Sequence, residues 1–110
     1  MKFLVLMAED RHFDRWEAAS EQEHQVFADG LAAFATKVGE RGEILGGAAL
    51  DRPGNAVTVR DGATTQGPFA ETVEQLGGFY LVDLPSLEDA VEAARLLRVQ
   101  AVELRPVLDM

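Results

Sequence analysis

The stretch TTQGPFAETVEQLGGFYLVD, residues 64–83, holds a Gly-Pro-Phe turn, a set of acids, a glycine pair and then a strongly apolar run. That run decides the fold. Successive side chains of an extended strand point to opposite faces of a sheet. Here one parity carries Phe79, Leu81 and Asp83, and the other carries Tyr80, Val82 and Leu84. The N-terminal run FLVLM, residues 3–7, is apolar on both parities. A sheet with helices on one side and water on the other alternates apolar and polar positions. Both faces of these strands therefore call for cover, and one layer of helices supplies it to one face only.

Working outward, SEQE at residues 20–23 fits a capping box and starts a helix. Its apolar stripe is Phe27, Leu31, Phe34 and Val38, and Gly42 is expected to stop it in the left-handed conformation. The segment EDRHFDRWEAA before it reads as a polar connection with two aromatics. EILGGAAL is a second strand, DRPGN a turn, and AVTVRDG followed by ATTQ a hairpin about Asp61-Gly62. SLED at residues 86–89 caps a second helix whose inner face is Val91, Ala94 and Leu97 or Leu96. QAVELRPV is the last strand, with Pro106 pointing to a sheet edge. Two strand-helix-strand halves of this kind form one α+β domain over residues 1–110. The expected fold is a ferredoxin-like βαββαβ sandwich with an antiparallel sheet and its helices on one face. The second face is expected to be covered by a second copy of the chain, the alternative being that residues 51–70 fold back over it.

Ten basic and nineteen acidic residues in 110 give a net charge of −9, with 47% hydrophobic and 26% charged residues. That balance suits a globular domain and opposes binding to phosphate backbones or anionic membrane surfaces. The apolar run at residues 3–8 is too short for a secretion signal or a membrane span. There are no cysteines, which removes disulfides, thiolate chemistry and cysteine metal sites and fits a cytoplasmic location.

Few residues carry chemistry. His24 continues the stripe of Phe27 and Leu31, so it can serve as a general base at one end of a sheet–helix cleft or, blandly, as a helix-end histidine. Asp83 shares a strand face with Phe79 and Leu81; buried there it would suit proton transfer, and at the strand end it would be solvated. Tyr80 offers a hydroxyl to a ligand. Arg105 is a candidate for binding a carboxylate, or a partner for Glu103 on the same parity. Pro68 fixes the turn that projects Phe69 toward the rim of the cleft or toward a partner subunit. His12 reads as a loop residue, and Glu71 and Glu74 as solvated acids. The two histidines lack metal-site spacing, so no metal is expected, and no cofactor motif is visible.

GEILGGAAL, QGPFAETVEQLGGFYLVD, SLEDAVEAA and AVELRPV together resemble the YCII-related family, in particular its DGPF branch, over nearly the whole chain. Gln66 stands where the branch has its Asp, Val73 stands where a Lys is usual, and the stretch before the last strand is shortened. The resemblance implies a dimeric α+β barrel. It also implies small-molecule chemistry of the lyase, dehydrochlorinase or isomerase kind, through a helix-borne His and an Asp from an Asp-Pro turn. The matching helix position here is Gly30, and the chain has no Asp-Pro dipeptide. The resemblance equally implies a non-enzymatic module, since DGPF members often accompany extracytoplasmic-function sigma factors. The expectation is a cytoplasmic homodimer with a small-molecule cleft, cofactor-free acid–base chemistry, and neither nucleic acid nor membrane as partner.

Overall fold

The computed structural model describes residues 1–70 and 72–109. Its elements are β1 (Lys2–Asp10), α1 (His12–Ala18), α2 (Glu21–Arg41), β2 (Glu43–Ala49), β3 (Val57–Arg60), β4 (Ala63–Gln66), β5 (Glu74–Asp83), α3 (Leu87–Ala94) and β6 (Ala101–Pro106). Four strands form an antiparallel sheet in the order β2-β5-β1-β6, so the two apolar strands lie at its centre. This is the ferredoxin-like arrangement of two interleaved strand-helix-strand halves.

The parity argument holds residue by residue. On β1, Phe3, Val5 and Met7 are buried against the helices, while Leu4 and Leu6 are half-buried. On β5, Val82 is fully buried, and Leu81 and Phe79 stand opposite Leu4 and Leu6 in the register. The core joins Phe3, Val5 and Val82 to Phe34 and Val38 of α2 and to Ala90 and Ala93 of α3. Each large side chain buried there stabilises the domain by roughly 1.5–3 kcal/mol. The molecule is only 18 Å through its shortest axis, the thickness of one sheet and one helix layer.

Local chemistry sets the ends of the helices. Ser20 and Glu23 form the full reciprocal capping box. Ser86 caps α3 by accepting from the Asp89 amide. Gly42 does end α2, but not in the left-handed region: its φ of −160° is extended backbone. The glycine is needed because β2 turns back hard against β5. A Cβ at Gly42 would lie 1.9 Å from the Asp83 carbonyl oxygen. On α3 the buried positions are Ala90, Ala93 and Ala94, followed by Leu97, whereas Val91 is half-buried and Leu96 exposed. The supposed polar connection before the capping box is helix α1.

The hairpin β3–β4 is a separate two-stranded sheet. Asp61 and Gly62 take φ of 51° and 83° at its turn, the two positive values that a tight hairpin loop of this hand requires. Gly67, φ 102°, closes its base: its amide donates to Ala56 O, and its carbonyl accepts from the Thr58 hydroxyl. Val57 and Val59 leave 66% and 68% of their surface exposed. Residues 51–70 thus do not blanket the second sheet face.

Two glycines give a paired test of this packing. Gly42→Ala is expected to cost roughly 1–3 kcal/mol in urea unfolding, because its Cβ has no room. Gly39→Ala, inside α2 with open space around it, is expected to gain about 0.5–1 kcal/mol.

Candidate functional site

β1 and β5 pair in register from Lys2↔Asp83 to Met7↔Gly78, then slip, so that Ala8 faces Leu76 and Gly77 is left as the extra residue of a bulge. A bulge bends its strand and re-aims what lies beside it. Here the freed Gly77 carbonyl accepts from the Leu50 amide at 2.9 Å, which ties the end of β2 to the bulge. On the other side the His12 ring lies over Gly77: a Cβ there would meet His12 Nε2 at 2.5 Å. Only glycine lets the imidazole sit down on the sheet.

The floor and walls enclose a cleft of about 410 Å³. Gly47, Gly78 and Ala49 floor it, Phe27 and Leu31 of α2 wall one side, and Trp16 of α1 stands at another. The small floor residues matter sterically, since a Cβ at Gly47 would strike the Tyr80 ring at 2.7 Å. Tyr80 lines the cleft, its ring 5.0 Å from Phe34, and its hydroxyl has no partner among the described residues. His12 Nδ1 is 3.6 Å from Glu9 Oε2, with the two side chains 15% and 19% exposed. Phe13 meets the His12 ring edge-on at 4.8 Å. The site thus combines an imidazole, an adjacent carboxylate and a free phenol in an apolar setting. Such a set can hold and move a proton.

α1 carries His12, Phe13 and Trp16, yet none of its residues is fully buried. It is held from outside. Arg52 pairs with Asp14 and Glu17, and its guanidinium lies 5.6 Å over the Phe13 ring. At the other end, the His24 ring stacks on Trp16 at 3.9 Å, and its Nε2 hydrogen-bonds the Trp16 carbonyl at 2.8 Å. His24 is therefore a brace between α1 and α2 and does not line the cleft.

The model of the YCII-related domain matches residues 1–110. The chain belongs to the YCII-related family. An uncharacterized protein of Rhizobium meliloti (strain 1021) is 41% identical over 81 residues, which cover 70% of this chain and 64% of that protein's own length. In this YCII-related domain, Gly30 lies under the stretch 95–100 before β6. A Cβ at Gly30 would be 2.9 Å from Leu96 O and 2.7 Å from Arg98 Cγ. That stretch therefore packs onto α2 where a side chain would stand, and it reaches the cleft through Val99.

The remaining expected site residues are dispersed. Asp83 is half-exposed at the far end of β5, where its carboxylate accepts from the Met1 amino group at 3.0 Å. Arg105 pairs with Glu103 on β6, opposite Leu4 and Leu6 and so on the sheet face away from the helices. Phe69 is 81% exposed and lines a separate groove beside residues 51–56. Glu71 lies outside the described residues. Of the named candidates, Tyr80 alone lines the cleft, and it is joined there by His12. The signal for His12 was present as the spacing Phe13–Trp16, one helical turn apart. No described cluster of three or more His, Cys, Asp or Glu has metal-site geometry, and no described helix is long and apolar enough to cross a membrane.

Gly77→Ala tests the seat of His12. The ring must leave the sheet, at a cost on the order of 1 kcal/mol. His12 ring proton and carbon shifts are expected to change in NMR spectra, with those of His24 held constant as an internal reference.

Proposed function

We propose that this YCII-related chain acts as a homodimer whose cleft binds a small organic molecule and moves a proton on it without a cofactor. The observation that carries the reading is the pair His12 and Tyr80, the two polar side chains that line an otherwise apolar cleft. In this reading His12 is the general base. Glu9 orients its ring and stabilises the imidazolium as it forms, while Tyr80 donates to the oxygen on which charge develops. His12 is preferred to His24 because the accessible nitrogen of His24 is engaged with the Trp16 carbonyl. The bulge and Gly77 are the positioning device. The absence of cysteine is in keeping with a reducing cytoplasm.

Homodimer formation is supported by the uncovered sheet face. Leu4, Leu6, Leu81 and Phe79 form one apolar strip across the two central strands, with Glu103 and Arg105 beside it. Pairing two such faces about a twofold axis would remove the strip from water. This agrees with the dimeric α+β barrel that the DGPF-like motifs imply. In light scattering the protein is expected at twice its 12.0 kDa chain mass, and Leu6→Asp is expected to give the single chain.

A second reading, an interaction module of the kind found beside sigma factors, is favoured by the hairpin with Val57 and Val59 exposed and by the exposed Phe69 that follows it. Deuterium exchange separates the two. A panel of weak carbon acids in D2O is expected to include one whose exchange the protein accelerates. That acceleration should fall by on the order of 10²-fold or more in His12→Gln, and it should persist in Asp83→Asn, at the far end of β5 and outside the cleft. If no carbon acid responds, or if His12→Gln leaves the rate unchanged, the acid–base reading is lost and the hairpin becomes the surface to study.

A further inference from the structure

Resting on that reading of the cleft, we propose that its ligand is a neutral, largely apolar molecule carrying one hydrogen-bonding group, and that carboxylates and phosphates are excluded. The charge inventory of the site leads there. No lysine or arginine side chain lines the cleft among the described residues. Arg52, whose guanidinium lies over the Phe13 ring, is already paired with both Asp14 and Glu17. His12, neutral or protonated, stands beside the Glu9 carboxylate, so the pair offers an anion no net positive charge.

Backbone amides at the cleft are already engaged: that of Phe13 donates to Gln75 Oε1. The Leu50 amide is given to the Gly77 carbonyl. The start of α2 is closed by its own capping box, with the carboxylates of Glu21 and Glu23 in its first turn. The chain as a whole carries −9, which repels anions during approach. An anion entering the cleft would lose its hydration and find no counter-charge, which is the costly way to bury charge. An apolar body against Phe27, Leu31 and Trp16 has no such cost. Its single polar group can be met by the free Tyr80 hydroxyl and by His12.

The test uses two probes of one shape and different charge, cyclohexanecarboxamide and cyclohexanecarboxylate, each titrated into the intact protein near neutral pH. Trp16, the single tryptophan of the chain, lines the cleft and reports occupancy by its emission. Amide shifts of Gly47 and Gly78 locate the bound probe. The carboxamide is expected to bind at least about tenfold more tightly than the carboxylate, with shifts at both glycines. Equal or tighter binding of the carboxylate at those same amides would overturn the proposal while leaving the cleft as a ligand site. If neither probe moves the Gly47 and Gly78 amides, the ligand-cleft reading fails and the proposal falls with it.

Discussion

The pairing of β1 with β5 is the constraint on which the rest of this domain depends. These two strands lie at the centre of the sheet, so their side chains on one face make the floor of the helix-covered core. The same strands set the second, uncovered apolar face through Leu4, Leu6, Leu81 and Phe79. Their one irregularity, the slip between Met7 and Ala8, creates the bulge at Gly77. From that bulge follow the hydrogen bond to Leu50, the seat of His12 and the depth of the cleft. A continuous ladder would leave no extra residue for His12 to lie over.

The path to the site passes through the weakest part of the fold. α1 has seven residues and no fully buried side chain, a length at which helix propensity alone cannot sustain structure in water. Its order comes from neighbours: the Arg52 ion pairs on one side, the Trp16–His24 stack on the other, and the Val73 carbonyl accepting from Arg11 at its start. Exposed ion pairs each contribute little. The element carrying the proposed base is thus held by several modest contacts and not by the core.

The architecture was legible in the sequence because it rests on long, strongly patterned segments. The double apolarity of residues 3–7 and 79–84, the two serine caps and the Asp61-Gly62 turn each have a local physical cause, and each appears as read. What was not legible depends on contacts between distant residues. His24 sits on the same helical stripe as Phe27, and periodicity cannot tell a residue facing the sheet from one facing Trp16, since α1 had first to be recognised. His12 lies in a polar stretch between the apolar run at residues 3–8 and the capping box at Ser20, and its placement follows from Gly77, sixty-five positions away. Gly42 ends α2 for a reason the local rule does not contain: the rule invokes handedness, whereas the close approach of Asp83 is what excludes a side chain.

The glycines show how far the site has been shaped by removing atoms. Gly30 gives its space to the stretch 95–100 before β6, Gly47 gives its space to the Tyr80 ring, and Gly77 gives its space to the His12 ring. In each case a larger neighbour occupies the room left by an absent Cβ, and two of those neighbours are the polar side chains that line the cleft. Glycine in a strand weakens it, through chain entropy and lost packing. Two such positions, Gly47 and Gly77, line one cleft and are hard to account for by stability alone. They are accounted for by the need to bring an imidazole and a phenol close to the sheet while keeping the volume between them open. The local conflict between a weakened sheet and a precisely filled neighbourhood is therefore itself an argument that the cleft is where this domain works.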